Sequence, residues 1–502
     1  MISRREFPKS IVDGAAVARL PALVAALIVS LSVGRAGEKI SSTARTFPNI
    51  VFILADDMGI GDISSYNAES LIETPNIDKL ASEGVRFTDT HTSGSRCVPS
   101  RYGIMIGQHL YFRQAVHRPL ERTGDGKKWE SVPTLPRMLK HNGYDTVMYG
   151  KWHLDMRWNR TSGRPDYTKP CKGGPLAWGF DEYFGVPTSA NTAPLAFFDG
   201  QRMVGEPSPT KLDPKALASP PAFACKGWKI EEIMPVLTKK TVSFIRSREG
   251  NHKPFFLYFA MTAPHTPLVP EKRFVKKGEE HLQLAFVRQV DWSVGEVLKA
   301  IDEAGLRENT LVIFSSDNGS PAIAFDGTRR KDLFALGKHT AHSANGSWRG
   351  FKLQNWEGGH RVPFVLRWPG VVKEGGQSDV PFQLTDLFPT FAGIINVELP
   401  EGVAIDGQVV LAVWKGANRK ADHASRIFVH ADHPTSGTAI RQGSWKLILH
   451  RGGQTGLYDL EADPRELKNM ATSHPEVVER LKKALEVETQ RLTRVTGRQR
   501  SG

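Results

Sequence analysis

Cys97 stands in the run SRCVPSRYGIMIG, from Ser95 to Gly107, two residues before Pro99 and four before Arg101. Proline is tolerated where a helix opens, because its missing N–H would have no partner there and its φ is already helical. The run therefore reads as a loop carrying Cys97 into the first turn of a helix. A thiol there faces the positive end of the helix, and Arg101, one turn on, adds a cation, so the pair could hold an anion beside a nucleophile. Asp56-Asp57 follow directly on the apolar run NIVFILA, and Asp317-Asn318 follow closely on TLVIFS. Adjacent carboxylates repel unless a cation lies between them, and hard oxygen ligands of this kind suit calcium or magnesium. Lys151 and His153 in GKWHL would share a face at a strand end. His265 sits between two prolines in APHTP, and Lys352 stands four residues before WEGGH. Taken singly, each has an ordinary structural reading: a cysteine at a helix start, a solvated turn, a surface lysine, a loop histidine.

The elements around these residues repeat one pattern. Asn49 to Ala55, Asp145 to Tyr149, Pro254 to Ala260 and Thr310 to Ser315 are β-rich apolar runs, as expected of strands buried on both faces of a parallel sheet. Each leads into one of the groups above. In open α/β sheets ligands sit beyond the carboxyl ends of the strands, so the four ends can meet in one crevice. Helices are expected from Pro75 (Ile77, Leu80 and Ala81 inward), over Thr134 to Asn142 and Glu231 to Arg248, and from Leu284 to Ile301, where apolar residues recur at three and four and Asp291 is structural. Asn159 to Trp228 is rich in Gly, Pro and Lys with little periodicity, and reads as the wall of a substrate pocket. Phe364 to Arg367 is a further strand. Farther on, the segments Arg426 to Val429, Gly437 to Arg441 and Trp445 to His450 read as antiparallel strands. A last helix is signalled by Ser473 as N-cap with Glu476 three residues on, and by the stripe Val478, Leu481, Leu485 and Leu492. The expected fold is α/β, with a mostly parallel central sheet over residues 44–420 and a small C-terminal α+β domain over 421–497.

The chain has 502 residues, 40% of them apolar, and a formal charge of +13. Residues 1–36 hold five basic and two acidic residues, so +10 remains for the rest. Such a surface favours anionic partners by long-range steering. No nucleic-acid motif or basic helix with interleaved aromatics is present, which leaves small or polymeric anions as the partners. The start SRREFPK resembles a twin-arginine export signal, and Leu20 to Val33 is too short and Pro-interrupted for a membrane span. The reading is export to the periplasm or beyond, with cleavage near Ala36. Of the three cysteines, Cys171 and Cys225 are an even pair that could bridge after export, or two unrelated thiols.

Cys97, Pro99, Ser100, Arg101, Met105 and Gly107 together resemble the signature of the type I, formylglycine-dependent sulfatases, whose cysteine at this place is oxidised to formylglycine. GKWHL continues the resemblance, with Asp155 where that family commonly has glycine, and so does Lys352 ahead of WEGGH. The likeness runs in family order from Pro48 to Glu466. It implies an alkaline phosphatase-like fold and one Ca2+ ion held by Asp56, Asp57, Asp317, Asn318 and the modified Cys97. It further implies that the formylglycine hydrate is the nucleophile, that Arg101 stabilises its charge, and that Lys151, His265 and Lys352 bind the sulfate. Asp317 is the candidate to take the nucleophile's proton, His265 or Lys352 the candidate general acid, and His153 the base that releases the covalent sulfate. The implied substrate is an aryl sulfate or a sulfated glycan, and the implied maturation partner is a formylglycine-generating enzyme. Because a twin-arginine substrate is exported folded, that oxidation belongs in the cytoplasm. Two alternatives remain open at this point: a phosphate or phosphonate monoester hydrolase on the same scaffold, and a non-catalytic binder of sulfated glycans with Cys97 left as a thiol.

Overall fold

The uninterrupted apolar run Asn49–Ala55 becomes the strand in the middle of a ten-stranded sheet. The structure is a computed structural model that describes residues 47–110, 132–209, 223–279, 281–321, 342–417, 425–433 and 437–498; the export signal expected over 1–36 lies outside them. The strands of the sheet are β1 (Asn49–Ala55), β2 (Val85–Phe87), β3 (Asp145–Lys151), β4 (Glu182–Val186), β5 (Phe198–Asp199), β6 (Arg202–Met203), β7 (Phe255–Ala260), β8 (Thr310–Ser316), β9 (Phe364–Arg367) and β10 (Gly376–Ser378). Their order is β6-β5-β4-β3-β7-β1-β8-β9-β2-β10. The five strands β4-β3-β7-β1-β8 all run parallel. Antiparallel pairing begins on either side of them, at β8 with β9 and at β4 with β5.

Two helical layers explain why the central strands are apolar at every position. Ile50, Phe52, Met148, Phe256, Tyr258 and Ile313 point to one side, against α2 (Cys97–Ile106), α3 (Leu135–His141) and α6 (Leu387–Ile394). Val51, Ile53, Val147, Leu257, Phe259 and Val312 point to the other, against α1 (Pro75–Ser82), α4 (Ile233–Arg246) and α5 (Leu282–Glu303). Successive strand residues face opposite ways, so a sheet covered twice needs no polar alternation. Asp291 of α5 is structural, as its place in that helix suggested: its carboxylate accepts from the backbone N–H groups of Asn76 and Ile77, satisfying the opening donors of α1.

Two local expectations are corrected, for the 159–228 stretch and the last helix, and one open alternative is decided. The stretch from Asn159 to Trp228 is not simply irregular, since it contains β4, which adds a parallel strand beside β3. Gly150 and Gly185 face each other there, and a Cβ on Gly185 would lie 1.9 Å from the Gly150 carbonyl oxygen, so the close pairing depends on glycine. Cys171 and Cys225 are free thiols rather than a bridge. Cys225 lies on a short strand paired with Pro207–Pro209, whereas Cys171 is anchored by its N–H to Gln201 O. The last helix, α7 (Pro475–Arg498), begins with a proline, so His474 precedes it. The Ser473 hydroxyl donates to Met470 O instead of capping.

The C-terminal strands β11 (Ile427–His433), β12 (Gly437–Gln442), β13 (Trp445–Leu449) and β14 (Thr455–Asp459) form an antiparallel sheet in chain order. Its residues Ile440, Leu447 and Leu457 pack on Val477, Val478 and Leu481 of α7, with Leu485 partly buried. The side chain of Leu492 lies outside the described residues. No helix among the described residues is long and apolar enough to cross a membrane.

Candidate active site

Backbone bonds between neighbouring strand ends gather the site. Asp317 N donates to Ala55 O at 3.1 Å, and Asp57 N returns a bond to Asp317 Oδ1 at 3.1 Å, so the ends of β1 and β8 are tied across the carboxylates. Asp57 has φ 71, a left-handed turn that ends the strand and separates its side chain from that of Asp56. Cys97 is the first residue of α2 and Pro99 its third, still within the opening turn where a missing N–H costs nothing. The Cys97 thiol lies 3.6 Å from Asp56 Oδ1 and 4.0 Å from Asp57 Oδ1, with Lys352 Nζ 3.5 Å from the sulfur.

Each carboxylate has its cation. Lys151 Nζ donates to both oxygens of Asp56, at 3.0 and 2.7 Å. Lys352 Nζ does the same for Asp57, at 2.6 and 2.8 Å. Arg101 donates from Nε to Asp317 Oδ2 at 2.9 Å and from Nη1 to the Lys151 carbonyl at 2.9 Å. His265 Nδ1 donates to Thr266 O at 2.6 Å, which turns Nε2 to within 3.6 Å of Asp57 Oδ2. Strand β3 runs through Lys151, two residues farther than its apolar run suggested, and His153 follows in a left-handed conformation with φ 56. A turn, rather than strand alternation, therefore brings His153 to the site.

All ten candidate residues, Asp56, Asp57, Cys97, Arg101, Lys151, His153, His265, Asp317, Asn318 and Lys352, stand at this one end of the sheet. The surroundings of the thiol differ from the cationic helix terminus that the local sequence implies. Burial and the nearby Asp317 push the Cys97 thiol up to about 12, so an unmodified cysteine here stays protonated at neutral pH. Burial and Asp56 also raise Asp317, to about 6, against the pull of Arg101. Asp56 is equally buried, yet Lys151, His265 and Arg101 hold it below the ordinary carboxylate range. Burial, with Lys151 and Arg101 beside it, keeps His153 well below the usual imidazole value. A neutral His153 whose Nδ1 has no hydrogen-bond partner among the described residues is able to accept a proton.

The carboxylates of Asp56 and Asp57 and the amide oxygen of Asn318 are hard oxygen donors compatible with a metal ion. Donor atoms of Asp56, Asp57, Cys97 and His265 lie within 4.8 Å of one another. Asn318 donates from Nδ2 to Asp57 Oδ1 at 2.7 Å, while its buried Oδ1 accepts from nothing among the described residues. A buried carbonyl oxygen without a donor costs free energy unless something electropositive meets it.

The sequence did not single out a second cluster, in which donor atoms of His91, His360 and His430 also lie within 4.8 Å of one another. It is not a metal centre, because the His360 and His430 rings are stacked, with centroids 3.7 Å apart and planes 11° apart. Parallel rings cannot both direct in-plane lone pairs at one ion.

Residues 48–397 match the Sulfatase family model, and residues 348–491 match the model of the N-sulphoglucosamine sulphohydrolase C-terminal region. The chain belongs to the sulfatase family. It is 32% identical over 495 residues to an N-acetylgalactosamine-6-O-sulfatase of Bacteroides thetaiotaomicron, covering 88% of this chain and 92% of that one. With human arylsulfatase D it shares 30% over 438 residues, 76% of this chain and 71% of the relative. A solved structure from work on the metabolism of multiple glycosaminoglycans by Bacteroides thetaiotaomicron superposes with a TM-score of 0.74 at 30% identity, covering 89% of this sulfatase and all of that chain. The phosphonate monoester hydrolase of Agrobacterium radiobacter, at 18% identity and a TM-score of 0.55, shares the fold alone. The sulfatase is thus an enzyme of sulfate-ester hydrolysis on an alkaline phosphatase-like fold.

Proposed function

We propose that this sulfatase removes sulfate from a sulfated sugar, with formylglycine made from Cys97 as nucleophile and one calcium ion in the carboxylate cluster. The observation that carries the reading is the buried group of Asp56, Asp57 and Asp317 around Cys97, with the Asn318 Oδ1 left without a hydrogen-bond partner among the described residues. Asp56, Asp57, Asp317 and Asn318 would hold the ion, whose charge stabilises the oxygen at residue 97. In hydrated form the aldehyde at 97 supplies one hydroxyl to attack sulfur and a second whose deprotonation expels sulfate as the aldehyde returns. A plain thiol could not expel sulfate by this route, which favours the modified residue.

The remaining roles fall to the cations and histidines. Arg101, fixed by Asp317 and the Lys151 carbonyl, stabilises charge on the attacking oxygen, and Lys151 and Lys352 carry ammonium groups to the sulfate oxygens. His265, with Nδ1 committed to Thr266 O, presents Nε2 and is the general acid toward the leaving alcohol. His153, neutral and with an Nδ1 that has no hydrogen-bond partner among the described residues, takes the proton of the second hydroxyl. A sugar as the alcohol is supported by the N-acetylgalactosamine-6-O-sulfatase relative and by the basic net charge, which favours a polyanionic substrate. The described parts of the 159–228 stretch, residues 159–209 and 223–228, are the candidate wall that would select it. The twin-arginine-like start supports export of the folded chain to the periplasm or beyond, so a formylglycine-generating enzyme would act on Cys97 beforehand.

The shared fold with a phosphonate monoester hydrolase gives a second reading, hydrolysis of phosphate or phosphonate monoesters. One experiment separates the outcomes. Intact mass of the peptide containing residue 97 should fall by about 18 Da, the difference between formylglycine and cysteine side chains. The same preparation should turn over an aryl sulfate faster than an aryl phosphate. An unmodified peptide from an active sulfatase would refute the formylglycine reading, and preference for the phosphate would establish the alternative.

A further inference from the structure

The loop that carries Lys352 is pinned from outside itself. Gly358 N donates to Arg349 O at 2.7 Å and closes the loop at its base. Within it, Lys352 N bonds Ser320 O at 3.1 Å and Leu353 N bonds Ser95 O at 2.9 Å. Leu353 holds φ 77, a conformation a leucine adopts only when its surroundings impose it. Both ends of this loop meet one residue of the C-terminal segment, Glu466. The Glu466 carbonyl oxygen accepts from Arg349 Nη1 at 2.5 Å, and its carboxylate Oε2 accepts from Glu357 N at 2.7 Å. Arg349 is steadied in turn by its guanidinium lying 4.2 Å over the Trp356 ring. Glu466 is fully buried, with φ 54, and its Oε1 is 2.9 Å from Lys446 Nζ, which is also 2.9 Å from Glu357 Oε1.

A buried glutamate in left-handed backbone is costly in desolvation and in conformation, so the contacts it makes must over-determine it. Those contacts converge on the two ends of a single loop, and the middle of that loop delivers an ammonium to Asp57 and Cys97. We propose that Glu466 is a positioning residue for the sulfatase reaction: it clamps both ends of the Lys352 loop and thereby fixes the Lys352 ammonium over residue 97. The proposal rests on the role given to Lys352 above. Lysine is flexible, so the placement of its head depends on where the backbone starts it, and a misplacement of about 1 Å costs on the order of 100-fold in rate.

The test is a double-mutant cycle on 4-nitrophenyl sulfate with Glu466→Ala, Lys352→Ala and their combination, together with Glu466→Gln. Glu466→Ala should lower kcat/KM by about 10- to 100-fold. Glu466→Gln should recover most of that loss, because its amide oxygen still accepts from Glu357 N. The double variant should be no worse than Lys352→Ala alone, within about 2-fold, since Glu466 would act only through Lys352. Should Glu466→Ala fail to fold, Arg349→Gln removes the other tie from a half-buried side chain and takes its place in the cycle with the same expectation. A double variant that loses the product of the two single factors would overturn the positioning role while leaving Lys352 in its place. Wild-type turnover by Lys352→Ala would instead overturn the role of Lys352, and the positioning role with it.

Discussion

Among the described residues, two buried clusters of charge each set three carboxylates against three cations. In the candidate active site Asp56, Asp57 and Asp317 face Lys151, Lys352 and Arg101. Between the C-terminal sheet and the catalytic strands, Asp89, Glu357 and Glu466 face Arg361, Arg441 and Lys446. The second cluster is a string of alternating sign, Arg441–Asp89–Arg361–Glu357–Lys446–Glu466, with every link between 2.7 and 2.9 Å. Burial pushes Asp89 up, but Arg361 and Arg441 hold it well below the ordinary range, and Lys446 and Arg361 do the same for Glu357. At the end of the string, with one cation, burial raises Glu466 to about 7. The active-site cluster has the same formal balance. Its carboxylates crowd one another, and Asn318 Oδ1 and His153 Nδ1 are left without hydrogen-bond partners among the described residues. Neutrality is therefore common to a brace and to a reaction centre, and so is a carboxylate left short of a partner; what marks the centre is a candidate nucleophile at residue 97 beside a neutral amide oxygen and a neutral imidazole nitrogen without partners among the described residues.

The sharpest break between the two clusters is expected from Cys97→Ala. Removing the nucleophile should lower kcat on aryl sulfate on the order of 10^4-fold or more, with the melting temperature little changed, because the residue, though buried, opens a helix and belongs to neither large apolar cluster. Wild-type turnover by the purified variant would remove residue 97 from the chemistry. The end of the brace remote from Glu466 should respond in the opposite way. Arg441→Met leaves Asp89 buried with one guanidinium fewer, and breaking such a pair costs about 3 kcal/mol in stability. Chemical denaturation should register that loss, while kcat of the folded variant at 25 °C stays near wild type. A large fall in kcat with unchanged stability would mean that the brace and the centre are not separable.

The same contrast accounts for what the sequence could and could not convey. Asn49–Ala55, Phe255–Ala260 and Thr310–Ser316 were legible because burial on both faces forces an apolar side chain at every position. The site residues were legible because each follows such a strand or stands in a compact motif. Glu182–Val186 was not, since five residues containing a glycine carry too little periodicity, and it is the glycine pair at 150 and 185 that makes the pairing fit. The brace was invisible as a unit because its members are scattered from Asp89 to Glu466 and meet only after folding. One signal was present: in WKLIL, Lys446 shares a strand face with the buried Ile448, and a lysine on a buried apolar face implies a buried partner.

Chelation probes the open valence of the first cluster directly. If the ion is bound only in the folded state, removing it should abolish turnover and lower stability by about 2.7 kcal/mol when calcium had been present at 100 times its Kd. Melting temperature and activity should both return on adding calcium back. Retention of both after confirmed metal removal would make the site a second brace.

The smallest effect concerns how the centre divides work between His265 and Lys352, whose atoms both approach Asp57. A nitrophenolate leaves readily as an anion and needs little protonation in the transition state, whereas a sugar alkoxide needs a great deal. If His265 is the general acid, His265→Ala should lose about 10- to 100-fold more kcat on a sulfated sugar than on 4-nitrophenyl sulfate, within the usual range of acid catalysis. Lys352→Ala should lower kcat/KM on the two substrates by similar factors, because each presents the same sulfate oxygens to the ammonium. Its four-carbon stem can reach either the sulfate or the leaving oxygen, so the comparison needs both variants on both substrates. Equal losses for His265→Ala, paired with a substrate-dependent loss for Lys352→Ala, would move the acid to Lys352 and leave His265, fixed through Nδ1 to Thr266 O, as the group that grips the sulfate.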